Sequence, residues 1–552
     1  MKIRGAEVLL KCMTEQGVDT VFGYPGGTVL PIYDALYSSG EITHILTAHE
    51  QGATHAADGY ARSTGKVGVV IVTSGPGATN TVTGIATAYR DSVPIVVFTG
   101  QVPLNLLGKD SFQEVDIVDI TASITKKNYI VKNAEELPCI VREAFKVAAS
   151  GRPGPVVVDI PKDIQELEVD YEPEINSCAV PEESEKELYD LDKAIDMINN
   201  SERPVIYSGG GSVISGAEKE LMELVEKTDS PITCSLMGIG AFPGNHKNYM
   251  GMVGMHGNPC SNYAVSNCDL LIAIGARFSD RVISKVEAFA PKAKIIHIDI
   301  DLKEFGKNIS EDISIRGDVR EVLQRMNGKL KNANHEKWMN RIKEWKEQEE
   351  DPFKENCRLS PKLIMNSLYK ITKGDCIITT EVGQNQIWTA QYFKFLKPRR
   401  FISSGGLGTM GYGLGASIGV SVGNPGKKVI NVAGDGSFKM NSTELATVAK
   451  YKLPIVQLLL NNHALGMVHQ WQDMFYNKRF SYTEFENDVD FMKLGKAYGI
   501  ETFKIESNDQ VEKILMKALN LNKPVIVECV INREERVHPI VPPGAAITEI
   551  IR

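Results

Sequence analysis

The chain of 552 residues is long enough for three or four domains of roughly 150 residues each, and 43% apolar content supplies their cores. Its 61 basic residues against 69 acidic ones give a net charge of −8, which argues against non-specific nucleic-acid binding and favours solubility. No apolar run approaches the roughly 20 residues that span a bilayer. Nine scattered cysteines without a Cys-x-x-Cys pair fit reduced thiols in a cytoplasm better than disulfides or a zinc site.

In chain order, residues 1–17 read as an amphipathic helix, because Glu7 and Lys11 interrupt any signal-peptide core. Short β-branched runs at 67–73, 95–99 and 156–160 then alternate with helical segments. Residues 168–190 break this rhythm. Nine acidic residues against one basic, with Pro173 and Pro181, read as an exposed linker. A second block carries runs at 205–207, 270–274 and 295–300, and ends in a charged helix over 335–352. Trp338, Ile342 and Trp345 form one stripe of that helix, a face suited to packing on a domain, and Pro352 stops it. A third block has runs at 376–379, 429–432, 455–460 and 525–530. The expected fold class is α/β, with three doubly wound parallel-sheet domains over about 1–167, 190–333 and 358–552. Ligands then belong at strand carboxyl ends. The first and third blocks share size and rhythm, as a duplicated half-site would.

The third block holds the most informative spacing. Gly434, Asp435 and Gly436 precede Asn461 and Asn462 by one crossover unit: a helix over 442–450, opened by an Asn441/Glu444 capping box, and the strand at 455–460. Asp435 offers a carboxylate oxygen and Asn462 an amide oxygen, both hard ligands suited to Mg²⁺ beside phosphate oxygens. The flanking glycines let backbone N–H groups approach a diphosphate.

That motif resembles the metal motif of thiamine-diphosphate enzymes. Further segments narrow the resemblance to the acetohydroxyacid (acetolactate) synthase large, catalytic subunit family. They are FGYPGGTVLP (22–31), AHEQGATHAADGYAR (48–62), SGPGATN (74–80), DSFQEVD (110–116), RPGPVVVDIPKD (152–163), GMHG (254–257), GARFSDRV (275–282), SGGLGTMGYG (404–413) and LGMVHQW (465–471). They cover nearly the whole chain in the family's order. The resemblance implies pyrimidine-binding, central FAD-binding and diphosphate-binding domains in that sequence. It also implies a homodimer or homotetramer with active sites between subunits, and a small regulatory subunit.

The resemblance assigns roles residue by residue. Glu50, in a mostly apolar pocket that keeps its carboxyl protonated, polarises the aminopyrimidine of a cofactor bound to another subunit. Met410 props the thiamine into a bent shape, a proximity effect that suits a shape-filling thioether. The Gly408 carbonyl and the Val382 backbone hold the aminopyrimidine, while Gln384, Gly434, Gly436 and Ser437 lie by the diphosphate. Asp435, Asn462 and the Ala464 carbonyl hold Mg²⁺. FAD, with a structural role, is expected on Gly209, Gly210, Gly211, Gly275, Arg277, Arg281 and Asp299. Gly209 to Gly211 is not a GxGxxG, so the residues alone would not name a flavin. Phe112, Gln113, Lys162, Met255, Arg281, Met467 and Trp471 line the acceptor region. Arg281 suits a keto-acid carboxylate, because a guanidinium fork binds it bidentately. His463 and His469 are read as bystanders.

The implied reaction is decarboxylation of pyruvate and transfer of the hydroxyethyl unit to pyruvate or 2-ketobutyrate, yielding 2-acetolactate or 2-aceto-2-hydroxybutyrate for branched-chain amino-acid synthesis. A pyruvate oxidase or decarboxylase is disfavoured by GMHG, Arg281, Met467 and Trp471, and a flavin-free catabolic synthase by GARFSDRV. Glyoxylate carboligase lacks the glutamate present here as Glu50. A catalytically silent scaffold would have lost Glu50 or Asp435. Thr28, Asn385 and Gly415 depart from the family's usual alanine, histidine and Gly-Leu-Pro run.

Overall fold

A computed structural model describes residues 2–173, 185–348, 359–486 and 489–551. Three six-stranded parallel sheets organise it. The first runs Thr43–Leu46, Thr20–Tyr24, Gly68–Val72, Ile95–Gln101, Val156–Pro161 and Lys127–Ile130 from edge to edge. The third runs Phe401–Ile402, Ile377–Thr380, Val429–Gly434, Ile455–Asn461, Val525–Val530 and Glu501–Ile505. Numbered by position in their own domain, both sheets have the order 2-1-3-4-6-5, so the duplication anticipated from rhythm is present in topology. The middle sheet runs Tyr249–Met252, Ile232–Cys234, Pro204–Ser208, Leu270–Ile274, Lys294–Asp299 and Ile313–Arg316, the order 3-2-1-4-5-6 typical of dinucleotide-binding domains. Central strands such as Gly68–Val72 and Leu270–Ile274 are buried at every position, which is why they read as unbroken apolar runs.

The first and third domains share one continuous core. Its centre is the pair of helices Glu50–Thr64 and Tyr412–Gly423, each of which follows the second strand of its sheet. Small residues let the two backbones nearly touch. A Cβ on Gly419 would lie 1.7 Å from the Ala56 carbonyl oxygen, and one on Gly59 would lie 2.2 Å from that of Ala416. Gly415 belongs to the same seam, where a Cβ would meet His55 at 2.8 Å. The departure from the Gly-Leu-Pro run thus places a glycine in a seam where a Cβ would crowd His55.

Several sequence expectations are corrected. Residues 1–17 are not one helix: Lys2–Arg4 is a strand, followed by the helix Gly5–Glu15. The acidic stretch is not all linker, since Glu168–Asp170 pairs antiparallel with Lys2–Arg4 and the helix Glu185–Asn199 starts inside it. Residues 174–184 lie outside the described residues, as does Pro352. The charged helix spans Glu336–Glu347 and its stripe does pack on the middle domain: Trp338 Nε1 donates to the Pro204 carbonyl at 3.0 Å, and Trp345 meets Tyr263. The single helix over 442–450 is instead a 3₁₀ turn, Ser442–Glu444, leading into Leu445–Lys450. Its capping box does not form, because the Glu444 carboxylate accepts from Ala48 N and His49 N in the first domain. Among the described cysteines only Cys139 is exposed. Among the described residues no helix is long and apolar enough to cross a membrane.

Candidate active site

In the third sheet the chain leaves Ile377–Thr380 and Val429–Gly434 toward opposite sides, and a cleft opens at their carboxyl ends. Val382, Gln384, Met410, Gly434, Asp435, Gly436, Ser437, Asn462, Ala464 and Met467 all line it. Asp435, Asn462 and Ala464 are buried there. Asn462 Nδ2 donates to Gln384 Oε1 at 3.1 Å, which fixes which face of the amide is oxygen. Ala464 sits in an isolated bridge to Glu484 whose bonds run through Leu465 N and His463 O, not through the Ala464 carbonyl. The donor set is one carboxylate, one amide oxygen and one backbone carbonyl, which fits Mg²⁺. Among the described residues no cluster of three His, Cys, Asp or Glu could hold a softer metal.

The glycines of this cleft divide into two kinds. A Cβ on Gly436 would strike Leu465 at 2.6 Å and one on Gly466 would strike Gln384 Oε1 at 2.0 Å, so these two serve packing. A Cβ on Gly434 finds nothing nearer than 3.5 Å, and one on Gly408, whose φ is +72°, nothing nearer than 4.0 Å. Backbone at Gly434 and Gly408 therefore faces open space, as a site for an approaching diphosphate and ring requires.

The turn carrying Gly408 and Met410 is tied at both ends. Asp91 of the first domain accepts from Gly405 N at 3.1 Å and Gly406 N at 2.7 Å, and Thr87 bonds Thr409 at 2.7 Å. Asp91 in turn pairs with Arg62, which also holds Asp58. At the far end Glu381 accepts from Gly411 N at 2.8 Å, and Asn441 Nδ2 donates to the Gly411 carbonyl at 2.7 Å.

Glu50 is elsewhere. It opens its helix, accepts from Asn80 Nδ2 at 2.9 Å, and neighbours the SGPGATN turn. Gln113, at φ +60°, lays its backbone against Gly75 of that turn, and Phe112 beside it is 88% exposed. Lys162 begins the short helix Lys162–Glu166 at the end of Val156–Pro161. All of these belong to the first domain, and none lines the cleft of its own chain.

The acceptor residues are brought together in part. Arg281 lies with its guanidinium 6.0 Å over the Trp471 ring and Nη1 3.5 Å from Met255 Sδ. Met255 is pinned through its backbone, its N–H donating to the Arg281 carbonyl and its carbonyl accepting from Val541 N, both at 2.8 Å. Met467 lines the adjacent cleft from the same helix, Gly466–Phe475, that carries Trp471. On that helix His469 stacks on Phe480 at 4.1 Å and pairs with Glu484.

In the middle domain, Gly209 and Gly211 pack directly on Gly275: added Cβ atoms would lie 2.1 Å from the Gly275 oxygen and 2.7 Å from its Cα. Gly210 packs on Met237. These turns end the adjacent strands Pro204–Ser208 and Leu270–Ile274, where the strand order reverses. Arg277 donates to the Arg90 carbonyl of the first domain, and Asp299 accepts from Asp301 N at 2.9 Å.

Comparison with known proteins agrees with this architecture. Residues 3–120, 191–326 and 381–529 match the N-terminal TPP binding, central, and C-terminal TPP binding domains of thiamine pyrophosphate enzymes. The chain is 47% identical to a "Probable acetolactate synthase large subunit" of Methanocaldococcus jannaschii, over 100% of this chain and 95% of that protein. It is 44% identical to the "Acetolactate synthase isozyme 2 large subunit" of Escherichia coli K12 (100% and 99%) and 42% identical to the isozyme 3 large subunit (99% and 98%). The chain belongs to the acetolactate synthase large-subunit family.

Members of this family are thiamine-diphosphate enzymes, and the chain contains further buried polar residues that no site motif singles out. Glu381 and Glu444 are fully buried, and burial raises both carboxyls above the usual range. Gln470 accepts from Gln384 Nε2 at 2.9 Å and from Val537 N at 2.9 Å. The charge of Glu381 after Ile377–Thr380 marks the end of a strand and gives no sign of its partners. Glu444 and Gln470 look like ordinary helical positions, and only their partners, far away in sequence, distinguish them.

Proposed function

We propose that the chain is the catalytic subunit of an acetolactate synthase that decarboxylates pyruvate and joins the resulting two-carbon unit to a second 2-keto acid, pyruvate or 2-ketobutyrate. The observation that carries this reading is the meeting of Arg281, Met255 and Trp471 beside the Met467 edge of the thiamine cleft. A simple decarboxylase or oxidase has no second carboxylate to fix, whereas a guanidinium fork backed by an indole supplies an acceptor site.

Asp435, Asn462 and the Ala464 carbonyl would hold Mg²⁺, with Gln384 and Ser437 beside the diphosphate. Val382 and the Gly408 carbonyl would hold the aminopyrimidine, and Met410 would fill the space beneath the ring. Bound thiamine diphosphate supplies the nucleophilic carbon and the electron sink for decarboxylation. Glu50 of a second subunit shares its carboxyl proton with ring nitrogen N1′, and Phe112, Gln113 and Lys162 arrive with it. A homodimer or homotetramer is the assembly that completes such a site. Arg281 pairs with the acceptor carboxylate and Trp471 sets the size of the acceptor. The middle domain would bind FAD: its 3-2-1-4-5-6 strand order supports a dinucleotide, with Gly209, Gly210, Gly211, Gly275, Arg277 and Asp299 at the reversal point. The relatives' designation as large subunits supports a small partner subunit.

The test is incubation of the purified chain with pyruvate, thiamine diphosphate, Mg²⁺ and FAD, then acidification and assay for acetoin. Acetaldehyde or acetate as the main product refutes the synthase reading. Full activity in a colourless protein refutes the FAD assignment.

A further inference from the structure

Glu381 is the least exposed acidic side chain near the cleft, with no accessible surface. It follows the strand Ile377–Thr380 and points into the interior between the starts of the helices Tyr412–Gly423 and Asp435–Met440. One carboxylate oxygen accepts from Gly411 N at 2.8 Å and from Ser437 Oγ at 2.7 Å, and the other accepts from Leu414 N at 3.1 Å. Ser437 Oγ in turn accepts from Gly411 N at 3.1 Å, closing a triangle. Burying a carboxylate among backbone N–H groups is costly, and an apolar residue would fill the same volume more cheaply. What the carboxylate adds is a fixed relation between two segments: the turn that ends in Met410 and the start of the helix Asp435–Met440, which carries Asp435 and Ser437.

We propose that Glu381 is a positioning residue that locks the Met410 turn to the start of the helix Asp435–Met440, so that the pyrimidine prop and the diphosphate cradle are set at one spacing before the cofactor arrives. Preorganisation of this kind lowers the ordering cost of binding. It also constrains Ser437. The hydroxyl has one proton, which it gives to Glu381, so it faces the cleft as a lone pair fixed in direction. Ser437 therefore ties its helix start to the Met410 turn and is not a free donor to the diphosphate. The inference rests on the roles proposed above for Met410 and Ser437.

The experiment is titration of the metal-free, cofactor-free protein with thiamine diphosphate in excess Mg²⁺, followed by tryptophan fluorescence; Trp388 lines the cleft. Glu381→Gln keeps the volume but turns an NH₂ against Gly411 N in one orientation of the amide and against Leu414 N in the other. The dissociation constant should rise at least about tenfold, roughly 1.4 kcal/mol, while the KM for pyruvate at saturating cofactor stays within twofold. Ser437→Ala added to Glu381→Gln should weaken binding little further, because both remove the same link. A folded Glu381→Gln protein with unchanged cofactor affinity overturns the proposal, as does full additivity of the two substitutions. If Glu381→Gln does not fold, Glu381→Asp decides. Its shortened carboxylate cannot reach both Gly411 N and Ser437 Oγ, and unchanged affinity in that variant equally overturns the proposal. Failure of the wild-type chain to bind thiamine diphosphate with Mg²⁺ would sink the underlying site assignment instead.

Discussion

The chain Gln470–Gln384–Asn462 makes a prediction about metal affinity that can be worked from distances. Gln384 Nε2 donates to Gln470 Oε1 at 2.9 Å and to the Glu535 carbonyl at 3.0 Å, which leaves Gln384 Oε1 to receive Asn462 Nδ2 at 3.1 Å. Gln470 is itself fixed by bonds to both Val537 N (2.9 Å) and the Val537 carbonyl (3.0 Å). Gln470→Leu preserves bulk but removes one of the two acceptors that orient Gln384, and so loosens the bond that, with Ala464 N at 3.2 Å, holds Asn462 Oδ1 in place. Residues behind metal ligands are worth about 10- to 100-fold in affinity, or about 1.4–2.7 kcal/mol. The half-saturating Mg²⁺ concentration, measured by activation at saturating thiamine diphosphate, should rise by that factor, and excess Mg²⁺ should restore kcat because all three ligands remain. The variant should also lose about 2–4 kcal/mol of stability from the buried polar groups left unpaired. An unchanged Mg²⁺ requirement in a variant that shows this loss of stability would refute the relay.

Three further predictions address the other parts of the site and fold. Glu50→Gln retains the bond to Asn80 but has no carboxyl proton to share, so turnover should fall by about 10²- to 10⁴-fold with cofactor affinity nearly unchanged; near-normal turnover removes Glu50 from the mechanism. Gly419→Ala forces the two central helices apart by roughly 1.5 Å and should cost about 3 kcal/mol, read as a fall of several degrees in thermal midpoint, so a midpoint equal to wild type contradicts the packing described. Burial pushes the Asp159 carboxyl from 3.8 up to about 7 despite bonds from Thr99 and Gln101. Between those values the folded chain holds a proton the unfolded chain has lost, so this group's contribution to stability falls as pH rises from about 4 to about 7 and is flat above. Asp159→Asn should remove that slope from denaturation midpoints, and an identical slope in both proteins argues against a neutral Asp159.

The sequence made the buried centre of each sheet legible and its margins obscure. Strands such as Val525–Val530 are apolar at nearly every position and were readable as continuous runs. Edge strands such as Thr43–Leu46 and Lys127–Ile130 are half-exposed, carry no continuous run, and escaped. The cleft residues were legible because their chemistry is local: Asp435, Asn462 and the Met410 turn sit in short motifs. Glu381, Glu444 and Asp91 were not, because each acts on backbone from a distant part of the chain, and hydrogen bonds across 30 to 400 residues leave no local pattern. Glu444 was misread for the same reason: its spacing from Asn441 matches a capping box, but the first domain competes for its carboxylate and wins.

The duplication explains why the two halves do different work. Glu50 and the Met410 turn stand at the starts of equivalent helices, each following the second strand of a 2-1-3-4-6-5 sheet. In the third sheet the crevice between the first and third strands is open at Gly434, and Asp435 lies at its mouth. In the first sheet the same crevice is shut. Thr28 Oγ1 lies 3.0 Å from Thr73 Oγ1 and accepts from Ser74 N at 3.0 Å, and a Cβ on Gly26 would strike Thr73 at 2.5 Å. Thr28, one of the departures from the family pattern, thus seals a position at which an alanine would leave the Ser74 N–H without this partner. With its own crevice closed, the first domain cannot cradle a diphosphate, and what it has left to offer is the carboxyl group at the start of its helix. On the function proposed above, one copy of the duplicated unit supplies the cradle and the other supplies Glu50. A working site on that reading needs both, and the cleft of a single chain, lined by the third domain, holds only the cradle.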